Sequence, residues 1–188
     1  MTGRVLAQQA RRPHRRRTRR LLLALLAVIA VAFVAVTLAL FAWPAQGLPP
    51  RVDAIVMLNG PGHRLRTAED LGWAHRAPML VVSSNAGYPG SSCAARIPRV
   101  TVICFSPSPA TTRGEAEYVG RLARRYHWRS VVLVTITPQI TPGRIWLRRC
   151  LTGTVYAVAS PLPDWQWPGA MLHEWGALIR ATLFERTC

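Results

Sequence analysis

The apolar positions divide the chain in two. Residues 21–43 form an unbroken run without a charged side chain. As a helix, at ~1.5 Å per residue, the run reaches ~35 Å, enough to cross a hydrocarbon core of ~30 Å. Beyond it, apolar residues come in short blocks. Residues 53–58 (DAIVML), 79–83 (MLVVS), 100–105 (VTVICF), 130–135 (SVVLVT) and 154–158 (TVYAV) read as strands, being short, apolar and rich in β-branched side chains. The stretches between them carry helical spacing. Residues 64–75 align Leu65, Ala68, Leu71 and Gly72. Residues 115–126 set Ala116, Val119, Leu122, Ala123 and Tyr126 on one face, with Arg121, Arg124 and Arg125 largely opposite. Residues 143–150 read as a short helix. Residues 169–184 read as a last one, with Met171, Trp175, Leu178, Ile179 and Thr182 inward.

Strands that alternate with helices and are apolar throughout belong in a parallel sheet covered on both faces. The pattern therefore predicts an α/β fold: a doubly wound, mostly parallel five-stranded sheet, preceded by one N-terminal transmembrane helix. Ligands of such sheets sit at the carboxyl ends of the strands. That selects four loops, at residues 59–63, 83–90, 106–115 and 136–144.

Charge fixes the expected topology. The chain of 188 residues has a formal net charge of +16, and all 24 of its basic residues are arginine. Eight of these lie in the first 20 residues, directly against the apolar run and with no acid among them. By the positive-inside rule the N-terminus stays in the cytoplasm and the remainder emerges on the other side of the cell membrane. Trp43 stands where an interfacial aromatic anchor would. Three other readings of the N-terminus compete. A cleaved signal peptide has a shorter apolar region, ~7–15 residues, and Trp43 is ill placed before a cut at Ala45. A nucleic-acid-binding arm also uses arginines. A buried core helix rarely lacks a polar face. The expected division is a basic cytoplasmic segment (1–20), a span (21–43), a linker containing Gly47, Pro49 and Pro50 (44–51) and an extracytoplasmic domain (52–188).

Half of the residues are apolar, which excludes a disordered chain. The exported part sets 16 arginines against all eight acids. This excess suits an anionic small-molecule ligand or surface. No zinc-finger or RNP-like pattern accompanies it, so no nucleic-acid partner is expected. The four cysteines, Cys93, Cys104, Cys150 and Cys188, all follow the span, where the compartment should be oxidising. Of the three pairings, Cys93 with Cys104 is favoured because the two bracket one loop-to-strand segment; the alternative is buried thiols.

Candidate chemistry follows the loops. Asn59-Gly60-Pro61-Gly62-His63 lets a ligand approach the backbone, yet it is an incomplete dinucleotide fingerprint and reads equally as a turn. Ser83 opens the second loop. In the third, Thr112 and Glu115 have the spacing of a capping box, a structural role that would account for both. The functional reading makes Glu115 an acid, base or ribose ligand at a helix N-terminus suited to anions. In the fourth, Thr141-Pro142 reads as N-cap and first helical residue, and Gln139 and Arg144 could reach a ligand, Arg144 through its planar fork. Trp165 and Trp167 are expected to pack on the core rather than touch a membrane surface.

The order VDAIVMLNG, LVVSSN, TTRGEA and VTITPQITPGR resembles the YdcF/SanA/ElyC-like family, a domain of unknown function; the similarity covers roughly residues 52–158, most of the exported part. The resemblance is to its arginine-rich, membrane-anchored members from high-GC Gram-positive bacteria. It implies a Rossmann-like fold and a nucleotide-like ligand, S-adenosylmethionine binding being associated with one branch. It also implies a role in cell-envelope metabolism, with no reaction common to the family. The pattern departs at Ile136, where the family carries serine, and at Pro142-Gly143, where it carries arginine and alanine. Two functions follow as expectations: an envelope protein that binds or processes a phosphorylated or nucleotide-like small molecule, or a non-catalytic, membrane-anchored interaction protein with a degenerate site.

Overall fold

The structure, a computed structural model, describes residues 12–84, 93 and 96–188. The chain forms two compact units, Met1–Ala39 and Leu40–Cys188. In the first, helix α1 (Arg12–Thr37) is followed by a π-helical turn, Leu38–Ala42, that crosses into the second unit. Residues Arg16–Ala42 are long and apolar enough to cross a membrane, with a mean hydropathy of 3.1 in their most apolar window, none of it buried. A helix that is apolar on every side has no face to offer water. The Thr37 hydroxyl donates to the Phe33 carbonyl at 2.8 Å, so even this polar group is satisfied within the helix.

The second unit contains β1 (Ala54–Met57), α2 (Arg64–Trp73), β2 (Met79–Ser83), β3 (Thr101–Phe105), α3 (Thr112–Tyr126), β4 (Ser130–Ile136), α4 (Ile140–Cys150), β5 (Thr154–Ser160) and α5 (Trp167–Ile179). The five strands form one sheet in the order β3-β2-β1-β4-β5, and every pairing is parallel. This is the expected doubly wound, Rossmann-like α/β arrangement. Its two cores follow from the two-residue period of a strand. Ala54, Val56, Leu58, Val81, Val131 and Leu133 pack with Val119 and Ala123 of α3 and Leu147 of α4. The alternate residues Ile55, Met57, Leu80, Val82, Val132 and Val134 pack with Ala68 of α2. Asp53 fixes the start of β1 beside β4: its Oδ2 accepts from the Arg129 and Ser130 backbone N–H groups at 2.7 and 2.8 Å.

The segment expected as a linker is tied down along the edge strand β5. The Gln46 Oε1 accepts from the Ala159 N–H at 3.0 Å, and Gly47 forms an antiparallel bridge to Ala157. An exposed parallel edge is thereby covered. Just before it, Phe41 is fully buried and meets the Trp175 ring edge-on at 5.3 Å.

Cys93 pairs with Cys104 as expected, and Cys150 with Cys188. Three packing expectations are corrected. In α5 and the π-helical turn Arg180–Phe184 that continues it, Ile179 and Thr182 are exposed, and the buried residues are Glu174 and Ala181. The helix turns a carboxylate inward because it faces a polar crevice rather than the apolar core. Tyr126 is likewise exposed, stacked on Trp128 at 5.9 Å. Trp165 does not pack on the core; it is 81% exposed, whereas Trp167 is half-buried.

Candidate functional site

The strand order reverses between β1 and β4, and a doubly wound sheet opens a crevice at such a switch point. Three chain segments converge there: Asn59-Gly60 after β1, the short 3-10 turn Thr137–Gln139 after β4, and the first turn of α3. Together with α5 they enclose a pocket of about 830 Å3.

Its floor is built around Arg64, the first residue of α2, which is only 3% exposed. Its Nη1 donates to the Asn59 carbonyl at 2.6 Å, the Leu58 carbonyl at 3.2 Å and the Gln139 Oε1 at 2.7 Å. Its Nε donates to the Pro61 carbonyl at 2.8 Å. Gly60 makes room for this. It has φ +138°, and a Cβ there would lie 2.6 Å from the guanidinium. The glycine expected to admit a ligand instead admits an internal cation. Gln139 passes the network on, accepting from the Thr135 hydroxyl at 2.6 Å and donating to the Thr112 hydroxyl at 3.3 Å.

Glu115 does not form the capping box that its spacing suggests. The N-cap of α3 is Thr111, whose hydroxyl accepts from the Gly114 N–H at 3.3 Å. The Glu115 side chain leaves its own helix, and Oε1 accepts from the Asn59 backbone N–H at 2.7 Å. Burial pushes its carboxyl up from an ordinary 4.5 to about 7, against the opposing pull of the Ser83 hydroxyl, the Asn59 N–H and the Arg64 charge. Glu174 of α5 also lines the pocket and is 3% exposed. Burial raises it to about 7 as well; Arg64 opposes the rise and the charge of Glu115 adds to it. Burial thus raises both carboxyls, and the charge of Arg64 opposes the rise in each.

Of the residues singled out from the sequence, Asn59, Gly60, Thr112, Glu115 and Gln139 all line this pocket. Ser83 lies behind Glu115, fully buried. The rest of the second loop, residues 85–90, lies outside the described residues. Arg144 does not line the pocket. Its Nη2 donates to the Ala45 carbonyl at 2.6 Å, and burial followed by the neighbouring Arg148 charge lowers its pKa. The cause is the start of α4. The turn Thr137–Gln139 runs straight into the helix, so Thr141 is not an N-cap but an internal residue, with its hydroxyl donating to the Leu40 carbonyl. Arg144 accordingly falls on the side of α4 that meets the incoming chain.

Sequence reasoning passed over Arg64 and Glu174. Each had a signal. Arg64 is a cation at a helix N-terminus, where the helix dipole disfavours it. Glu174 is the one acid in a helix whose other residues, His173 apart, are apolar. The walls add Ile136, Trp146, Trp165 and Leu172 on the apolar side, and Arg113 and Arg180 on the charged side. Among the described residues no cluster of three His, Cys, Asp or Glu side chains could hold a metal ion. Comparison of the chain with protein-family models, with curated proteins and with solved structures yields no match.

Proposed function

We propose that this is a single-pass membrane protein of the YdcF-like kind, whose α/β unit binds or processes a phosphorylated or nucleotide-like small molecule in the cell envelope. Glu115 is the proton donor or acceptor. The observation that carries the reading is the carboxyl of Glu115: buried at the switch-point crevice, released from capping its own helix and raised to about 7. Arg180 and the first turn of α3 supply positive potential around the same pocket, whereas Arg113 is paired with Glu117 at 2.8 Å. In the proposed orientation the arginine-rich N-terminus is cytoplasmic and the folded unit extracytoplasmic. The arginine bias supports it, and so do two disulfides, which persist where the surroundings oxidise thiols.

A second reading is favoured by two observations. Ile136 presents an apolar side chain to the pocket, and Arg144 is spent on Ala45. A non-catalytic interaction protein with a degenerate site would show both. Calorimetric titration of the full chain in nanodiscs with ATP, UDP, S-adenosylmethionine and inorganic pyrophosphate separates the readings. The first expects one of these to bind, and expects Glu115→Gln to weaken or slow its turnover at least tenfold without loss of folding. Absence of binding by all four leaves the second.

A further inference from the structure

Glu174 is a buried carboxyl with nothing of the protein's own to bind. It lines the pocket from α5 and is almost fully shielded from solvent. Among the described residues no hydrogen bond reaches it; only the charges of Arg64 and Glu115 act on it. Glu115, by contrast, holds the Asn59 N–H. A carboxyl taken out of water without a hydrogen-bond partner costs the fold free energy. Buried polar groups left in that state are exceptions, and each calls for an account.

The groups that share the pocket with it are of the complementary kind. Helix α5 packs against the turn Thr137–Gln139. The Gln139 side-chain oxygen is already taken, by Arg64 and by Thr135. Its amide nitrogen spends one N–H on the Thr112 hydroxyl at 3.3 Å and has a second to give. The Thr112 hydroxyl, being the acceptor there, keeps its own hydrogen to donate. The pocket therefore sets a carboxyl on one element and spare donors on two others. A ligand group that serves both gives a hydrogen to the carboxyl and accepts one from the amide or hydroxyl. An ammonium has no lone pair to accept with, and an ionised phosphate has no hydrogen for an ionised carboxyl. A hydroxyl does both. The largely exposed indole of Trp165 stands in the same pocket wall, and the negative face of such a ring suits the C–H face of a sugar.

We infer that the pocket recognises the hydroxyls of a sugar ring on its phosphorylated ligand, with Glu174 as the hydroxyl's acceptor and Gln139 and Thr112 as its donors. The inference rests on the reading of this pocket as the site of a phosphorylated small molecule, and it adds the part of that molecule which α5 selects. The anionic end lies toward Arg180 and the first turn of α3, and the ring lies toward Glu174. The ribose of a nucleotide and the sugar of a glycosyl phosphate carry the same chemistry. A site built to bind a hydroxyl rejects the analogue that lacks it, because its own buried polar groups are then left unpaired.

The test titrates the full chain in nanodiscs near pH 6 with two pairs of ligands that differ in sugar hydroxyls: UTP against 2′,3′-dideoxy-UTP, and glucose 1-phosphate against inorganic phosphate. In at least one pair the hydroxyl-bearing member should bind about tenfold tighter or more; the first pair reports a ribose and the second a glycosyl group. Glu174→Leu should erase that preference while leaving the melting temperature at or above the parent's, since no bond within the protein is lost. A structural role for Glu174 would lower the melting temperature and spare the preference, and that result overturns the assignment. Should Glu174→Leu fail to fold, the two pairs measured on the unsubstituted chain decide alone. Binding that is equal within both pairs overturns the inference and leaves the phosphorylated-ligand reading standing. Absence of binding by all four ligands overturns both.

Discussion

The backbone N–H of Asn59 donates to the carboxyl of Glu115 at 2.7 Å, joining the end of β1 to the first turn of α3. The bond spends a carboxylate on a strand terminus, although the helix that carries it already has a cap in Thr111. Glu115→Gln keeps an oxygen at that place. Below about pH 4.5, where the Glu115 carboxyl is protonated folded and unfolded alike, the variant's thermal stability should therefore stay within about 1 kcal/mol of the parent. Glu115→Ala leaves the Asn59 N–H unpaired in a buried site and should cost about 1–3 kcal/mol beyond the lost packing. Denaturation of both variants in the same nanodiscs checks the difference; equal losses would mean that the bond from Asn59 to the Glu115 oxygen does not carry it.

Stability should fall as pH rises from about 4.5 to about 7. Glu115 and Glu174 keep their protons to about 7 when folded, whereas in the unfolded chain they release them around the ordinary 4.5. Within that window the folded state binds more protons, so the unfolded state gains on it with each step upward; above the window the effect levels off. The two groups interact, so the protons leave in steps that belong to the pair. The summed loss is on the order of a few kcal/mol. Melting curves across this range should slope downward for the parent and flatten for the Glu115→Gln, Glu174→Gln double variant. An equal slope in both would remove these carboxyls as its source.

Arg64 holds four acceptors: the carbonyls of Leu58, Asn59 and Pro61, and the Gln139 side chain. Arg64→Met strips them of their donor inside the fold and should destabilise by about 3–5 kcal/mol. Arg64→Lys keeps the charge but cannot reproduce the planar fork, so it should recover part of that loss. Loss of the cation also removes the pull that keeps both carboxyls from rising further. In Arg64→Met, the downward slope of stability should extend to higher pH. Midpoints of unfolding measured for the two variants between acid and alkaline buffers read both effects.

The strands were legible because each is a closed apolar block. Residues 79–83 and 130–135 need nothing from their neighbours to be recognised, and β2 and β4 follow them closely. The pocket's outline was legible for the same reason, since loops after strands must converge at a switch point. What local pattern could not provide was the partner of each side chain. Thr112 and Glu115 have capping-box spacing, but Thr111 is the cap because the chain enters α3 one residue earlier. Arg144 faces the chain arriving at Ala45, a contact across ninety-nine positions with no local trace. Glu174 reads as a solvated acid until α5 is placed over Arg64, and only the tertiary arrangement does that.

The terminal turn after α5 is held to α4 by two devices. Arg149 donates to the carbonyls of Ala181 and Glu185 at 2.8 and 2.7 Å, and Cys188 is bonded to Cys150. The bridge spans 38 positions, and closing a loop of that size in the unfolded chain lowers its entropy by an amount worth about 4 kcal/mol. Cys150→Ser with Cys188→Ser should therefore lower stability by about 2–4 kcal/mol, since native-state relaxation returns part of the difference. The loss should be distributed unevenly. The turn that Arg149 still holds frays first, and it carries Leu183 and Phe184, while the sheet keeps its own ladder. Hydrogen exchange of the double variant in nanodiscs should show faster exchange at residues 180–186 and little change at β1 and β4. Uniform acceleration over the whole α/β unit would mean that the bridge sustains the fold globally rather than anchoring its last turn.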